Sequence, residues 1–220
     1  MIIDATSKWV THISTDGSGI ADPKTPVPTL YGVEPAPPFH SDSILFPTTG
    51  PAWCLWEAGS LVPMVLPKSG QYRVQLSFDL MIDLNFVAHG HVVETDTIVC
   101  TPDGWNINLS TKREMVGNAM YVAGQGPGDW IPTGIVPPPL TPEVWHSHLF
   151  QYVVNQDQHT GGVEAMVIDG QLFMVPAALE GIAGINKKWT PGLLFQTQPT
   201  INGTAGSSNY MLRNIKYALV

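Results

Sequence analysis

Between residues 71 and 81 the chain alternates strictly: Tyr72, Val74, Leu76, Phe78 and Leu80 are apolar, and Arg73, Gln75, Ser77 and Asp79 between them are polar. Successive side chains of an extended strand point to opposite sides of a sheet, so this pattern dictates a strand with one dry face and one wet face. A dry face must be covered by a second apolar layer. The same two-residue period recurs over 43–46, 52–56, 84–100 (bent or broken near Gly90), 105–109, 114–122, 144–154, 162–168, 171–175, 193–196 and 209–219. With 21 Gly and 20 Pro spread between the runs as turn signals, the pattern predicts an all-β chain. A set of roughly a dozen strands without helical periodicity calls for two stacked antiparallel sheets.

At 220 residues the chain is long enough to bury a core without metal or disulfide, and it reads as one domain spanning 1–220. Hydrophobic residues at 44% against only 13% charged exclude a disordered chain. The net charge of −8, with 10 Lys and Arg in all, provides no basic stripe for phosphates, so nucleic acid is excluded as a partner. Lys112-Arg113 and Lys187-Lys188 read as isolated pairs in solvated turns. Residues 1–6 lack a basic region followed by an apolar core, so no secretory leader is expected, and no apolar run has the length of a membrane span. Such a chain fits an extracellular or virion surface reached by another route. Cys54, within an apolar strand, reads as a small hydrophobe; whether it meets Cys100 is left open.

Two Pro-rich stretches, 23–40 and 124–142, cannot be central strands because proline removes a ladder donor. Each reads as a loop wrapping a sheet edge, and loops of this length commonly form the rim of a site.

Residues 143–171 run from Glu143-Val144-Trp145-His146 through a polar turn, His159-Thr160-Gly161-Gly162, to Asp169-Gly170-Gln171. Trp145 can anchor the core and Asp169-Gly170 starts a tight hairpin. This segment resembles the concanavalin A-like jelly rolls, including laminin-G-like modules and polysaccharide lyases. The stretch 209–217 is similar to the closing strand of that superfamily, which returns beside the N-terminal strand. The resemblance covers about a third of the chain and implies a fold that hosts lectins, hydrolases, lyases and adhesion modules alike.

Retaining glucanases of that superfamily carry Glu-x-Asp-x-x-Glu on one strand. Here Glu94-Thr95-Asp96-Thr97-Ile98-Val99 lacks the third carboxylate, which weakens a hydrolase reading. Glu94 and Asp96 share a strand face, either as a solvated pair or as part of a Ca²⁺ site with loop carbonyls. His89-Gly90-His91 and His146-Ser147-His148 would each place two imidazoles on one face, as metal and lyase sites need. By parity, His89 and His91 point away from Glu94 and Asp96, while His146 and His148 share a face with Phe150 and Tyr152 that reads as a groove floor. A lyase on this fold would draw on His148, Tyr152, His89 and Arg73, although the Arg-rich and Tyr-x-Lys motifs of alginate lyases are absent.

Trp9, Trp53 and Trp145 lie in apolar alternation, whereas Trp105, Trp130 and Trp189 sit among polar loop residues. Large rings in polar loops suit a recognition surface. The leading expectation is a non-catalytic, lectin-like module binding a glycan or polysaccharide, with Trp130, Trp105, His146, His148 and Tyr152 as contacts. One alternative is a lyase cutting a uronate-containing glycan by β-elimination. Another is a structural subunit of a virion or appendage, packed as a homo-oligomer or against other assembly neighbours.

Overall fold

The computed structural model describes residues 2–3, 9–14, 29–31, 43–49, 52–62, 64–124, 129–176, 182–183, 185–186, 191–201 and 207–220. The chain begins with β1 (Ile2–Ile3), β2 (Trp9–Ser14), β3 (Thr29–Tyr31), β4 (Ser43–Thr49), β5 (Ala52–Val62) and β6 (Gln71–Ile82). A short helix, α1 (Leu84–His89), leads into β7 (Gly90–Cys100), β8 (Trp105–Glu114), β9 (Met120–Ala123) and β10 (Trp130–Pro132). Then follow β11 (His146–Asn155), β12 (Thr160–Ile168), β13 (Gln171–Met174), β14 (Ile182–Ala183), β15 (Ile185–Asn186), β16 (Gly192–Ile201) and β17 (Ser207–Leu219).

The strands form two sheets. The first has the order β13-β12-β11-β6-β17-β4-β3, with β1 beside β17 and β14 beside β12. The second has the order β10-β9-β8-β7-β16-β5-β2, with β15 beside β8. The pairings described are all antiparallel. β1 and β17 meet with Ile3 opposite Ile215, so the closing strand does return beside the first. Asp169 and Gly170 take φ of 49° and 80°, the left-handed pair that a two-residue hairpin requires, and join β12 to β13.

The dry face of β6 is as the alternation demands: Tyr72, Val74, Leu76, Phe78 and Leu80 are all buried. Across the sandwich the Phe78 ring meets Phe195 of β16, with centroids 6.4 Å apart. Hydroxyl groups also bridge the sheets inside the core. Thr197 Oγ1 donates to Glu94 O (2.9 Å) and so accepts from Tyr210 OH (2.7 Å). Tyr217 OH donates to Leu194 O at 3.3 Å and lies 3.0 Å from Thr97 Oγ1. Buried hydroxyls are costly unless paired, and these pairs tie β17 of one sheet to β7 and β16 of the other.

Four local expectations are corrected. Residues 84–89 are a helix rather than strand: Asp83 Oδ1 accepts the Phe86 N–H at 2.6 Å as an N-cap, and Phe86 is fully buried. Residues 115–118 form a turn, with Gly117 and Asn118 at positive φ, before β9 resumes the ladder. Lys112 and Arg113 lie within β8, not in a turn. Arg113 points inward and is only 3% exposed, its Nη2 donating to Asn118 Oδ1 (3.0 Å) and to Pro138 O. Finally, Trp145 joins Met81 and Met211 on the outside of the first sheet, beneath the Arg213 guanidinium at 4.2 Å, rather than in the main core.

The Pro-rich stretch 23–40 contributes β3 at 29–31; its other residues, like Trp189, Lys187 and Lys188, lie outside the described residues. In the second stretch Trp130 to Pro132 pair with β9, and Ile135 and Leu140 enter the core. Cys100 is a free buried thiol whose pKa burial pushes up to about 11.

Candidate functional site

The outer face of the second sheet collects polar and aromatic side chains from five adjacent strands. On β7 the inward set is Val93, Thr95, Thr97 and Val99, so Glu94 and Asp96 face out. The ladders place Lys112 of β8 opposite Glu94, and Ser110 opposite Asp96. On the other side Gln196 of β16 stands opposite Asp96, and Gln198 opposite Glu94. β9 sets Tyr121 opposite Lys112, and β10 adds Trp130.

Lys112 Nζ lies 4.4 Å from the Tyr121 ring centroid and 5.1 Å from that of Trp130. One cation therefore orients both rings on the same face. Glu114 completes the group: its carboxylate is 3.6 Å from Lys112 Nζ and accepts the Tyr121 hydroxyl at 3.3 Å. Asp96, Ser110 and Gln196 form a buried floor. Glu94, Gln198, Lys112, Tyr121 and Trp130 are half-buried around it, and Asn108 is exposed. Burial, the Asp96 charge and a hydrogen bond from one carboxyl to the other raise the Glu94 pKa to about 9, against a smaller opposing pull from Lys112. Burial thus favours the protonated form of Glu94.

The remaining sequence candidates lie elsewhere. His146 is buried on the inner side of β11, with Nδ1 2.6 Å from Asp169 Oδ2 and Nε2 accepting the Thr141 N–H at 2.9 Å. Both ring nitrogens are engaged in pinning a loop and a hairpin. His148 is also inside, stacked on Phe78 at 4.9 Å, with Nδ1 3.0 Å from His146 O. A carbonyl only accepts, so Nδ1 carries the proton; burial lowers this imidazole to about 4 and keeps it neutral. Tyr152 is fully buried, its phenol pushed up by desolvation. The inner faces of β11 and β6 meet the opposite sheet, so the expected groove floor is sandwich interior.

Arg73 sits on the outer face of the first sheet in a two-pronged bond to Glu164, both contacts 2.7 Å. His89 lies in the last turn of α1, so the His89-Gly90-His91 pair does not share a strand face. The four residues a lyase would draw on are thereby placed in three separate environments. Trp105 stacks on His159 at 4.4 Å, and His159 Nε2 is 2.6 Å from Asp103 Oδ2. Trp105 stands seven residues along β8 from Lys112, roughly 23 Å away at strand rise. Of the aromatic candidates among the described residues, Trp130 alone lies on the face just described. Among the described residues no three His, Cys, Asp or Glu side chains gather as a metal site, and Glu94 and Asp96 have no third such partner.

Sequence reasoning found Glu94, Asp96 and Trp130 but missed Lys112, Tyr121, Gln196 and Gln198. A signal existed for Lys112. Asn106, Asn108, Ser110 and Lys112 alternate with Ile107, Leu109 and Thr111, which extends the strand beyond 109.

The strand order defines a two-sheet antiparallel β-sandwich consistent with a jelly roll. Among solved structures the chain is similar to an alginate lyase of polysaccharide lyase family 7, at 13% identity over 82% of this chain and 79% of that one, TM-score 0.40. It is likewise similar to an alginate lyase from a Chlorella virus (10% identity, 81% and 85% covered, TM-score 0.49) and to peanut lectin (9%, 97% and 99%, TM-score 0.45). At such identities the likeness concerns the fold and carries no chemistry. No family model and no curated protein matches the sequence. No helix among the described residues is long and apolar enough to cross a membrane.

Proposed function

We propose that this chain is a carbohydrate-binding module whose sugar-contacting surface is the outer face of the second sheet. The observation that carries the reading is the alignment of Trp130 and Tyr121 with Lys112, Glu94 and Gln198 across neighbouring strands. Pyranose rings present apolar C–H faces that pack on flat aromatic rings, and their hydroxyls need amide and carboxyl partners nearby. This face supplies both, on rigid strands.

The same geometry favours binding over cleavage. Two carboxyls that cut a glycosidic bond flank it, separated by about 5–9.5 Å. Glu94 and Asp96 lie two residues apart on one strand face instead, so they stand together on one side of any ligand. Among the described residues no set is gathered for the lyase reading, since His148 and Tyr152 lie in the interior and Arg73 and His89 elsewhere.

The test is a glycan array followed by titration calorimetry on the best ligand. Trp130→Ala is expected to weaken binding about tenfold or more, the size of one lost stacking contact with its buried area. Absence of binding to every saccharide, or full affinity in the Trp130→Ala variant, overturns the proposal.

A further inference from the structure

Resting on the reading above, we infer that this face takes uncharged glycans and rejects uronate-bearing polymers. The charges on the face decide it. Lys112 is its cation among the described residues, and it is already committed. Its ammonium sits over two rings, 3.6 Å from Glu114 and across the ladder from Glu94. Against it stand the Glu94–Asp96 pair and Glu114. The whole chain adds a net charge of −8. A uronate carboxylate laid on the rings would enter an acidic surface where, among the described residues, no uncommitted guanidinium or ammonium stands to meet it, and like charges at close range disfavour binding.

The polar groups have the opposite suitability for neutral sugars. Gln198 and Asn108 offer amides that donate and accept, and the Glu94 carboxyl, whose pKa burial raises, adds a group able to do both. The chain's three arginines are elsewhere. Arg73 is clamped by Glu164 and Arg213 by Asp79 on the opposite sheet, while Arg113 is enclosed in the core.

The experiment compares neutral polymers (β-glucan, mannan, xylan) with uronate polymers (alginate, polygalacturonate, hyaluronan) by affinity electrophoresis and calorimetry at pH 7, at low and high salt. The expected result is binding to a neutral polymer that salt barely changes, with uronate binding at least tenfold weaker. In the Asp96→Asn variant the gap is expected to narrow. Equal or tighter uronate binding overturns this inference while leaving the carbohydrate-binding reading intact. Binding to neither class overturns that reading and this inference with it. A gap unchanged in Asp96→Asn overturns the electrostatic explanation.

Discussion

The carboxyl groups of Glu94 and Asp96 stand two residues apart on the outer face of β7, where burial above all, and then the neighbouring Asp96 charge, raise the Glu94 pKa to about 9. The linkage has a definite sign. Below pH 4.5, the ordinary value, folded and unfolded chains both hold the Glu94 proton. From there to about 9 the unfolded chain releases it and the folded chain retains it, so stability falls as pH rises. The steepest slope from one such group is about 1.4 kcal/mol per pH unit. Glu94→Gln is expected to flatten this decline, which calorimetric melting from pH 5 to pH 9 measures directly.

His148 gives the opposite limb. Burial against Phe78 lowers it to about 4, so the folded state favours the neutral ring and the unfolded state, near the ordinary 6.5, takes up the proton first. Stability is therefore lost as pH falls from about 6.5 to about 4. His148→Leu is expected to remove this contribution to the acid slope and to leave saccharide affinity unchanged, because His148 lies inside the sandwich. Parallel denaturant curves at pH 7 and pH 4.5 on both proteins separate the slope from any uniform packing loss.

Gly90 joins α1 to β7 in space that no side chain can share. A Cβ there would meet the Phe86 carbonyl oxygen and stand 2.7 Å from the Phe86 ring. Because Phe86 is fully buried, neither neighbour can yield cheaply. Gly90→Ala is expected to destabilise by about 2–4 kcal/mol, read as a lower urea midpoint with unchanged slope.

Asp83 has two duties. Oδ1 caps α1 through the Phe86 N–H, and Oδ2 accepts the Asn209 N–H of β17 at 2.7 Å. Asp83→Ala is expected to cost about 2 kcal/mol, at the upper end for a cap, because a second backbone donor is orphaned as well. Asp83→Asn, which keeps an accepting oxygen, should recover part of that loss in the same urea titration.

Alternation carried a large share of the fold. The five apolar residues of β6 occupy the core as their spacing requires, the Asp169 and Gly170 pair makes the hairpin their residue types favour, and Glu94 and Asp96 share the face that parity assigns them. α1 escaped because six residues are too few to display a helical period, and the single Asp83 cap was the remaining local sign. Within the candidate site, Trp130 was visible as a large ring among polar residues, but its neighbours were not, since Lys112 and Tyr121 join it from other strands.

The sequence by itself determined that this chain builds sheets and which side chains travel together on each strand, because the two-residue repeat is a property of the extended backbone alone. Only the tertiary structure decided which of those sets met water. His146, His148 and Tyr152 are one such set, and they lie inside because the second sheet covers them. Parity along a strand fixes which side chains share a side; what lies against that side is fixed by pairings between residues far apart in the chain.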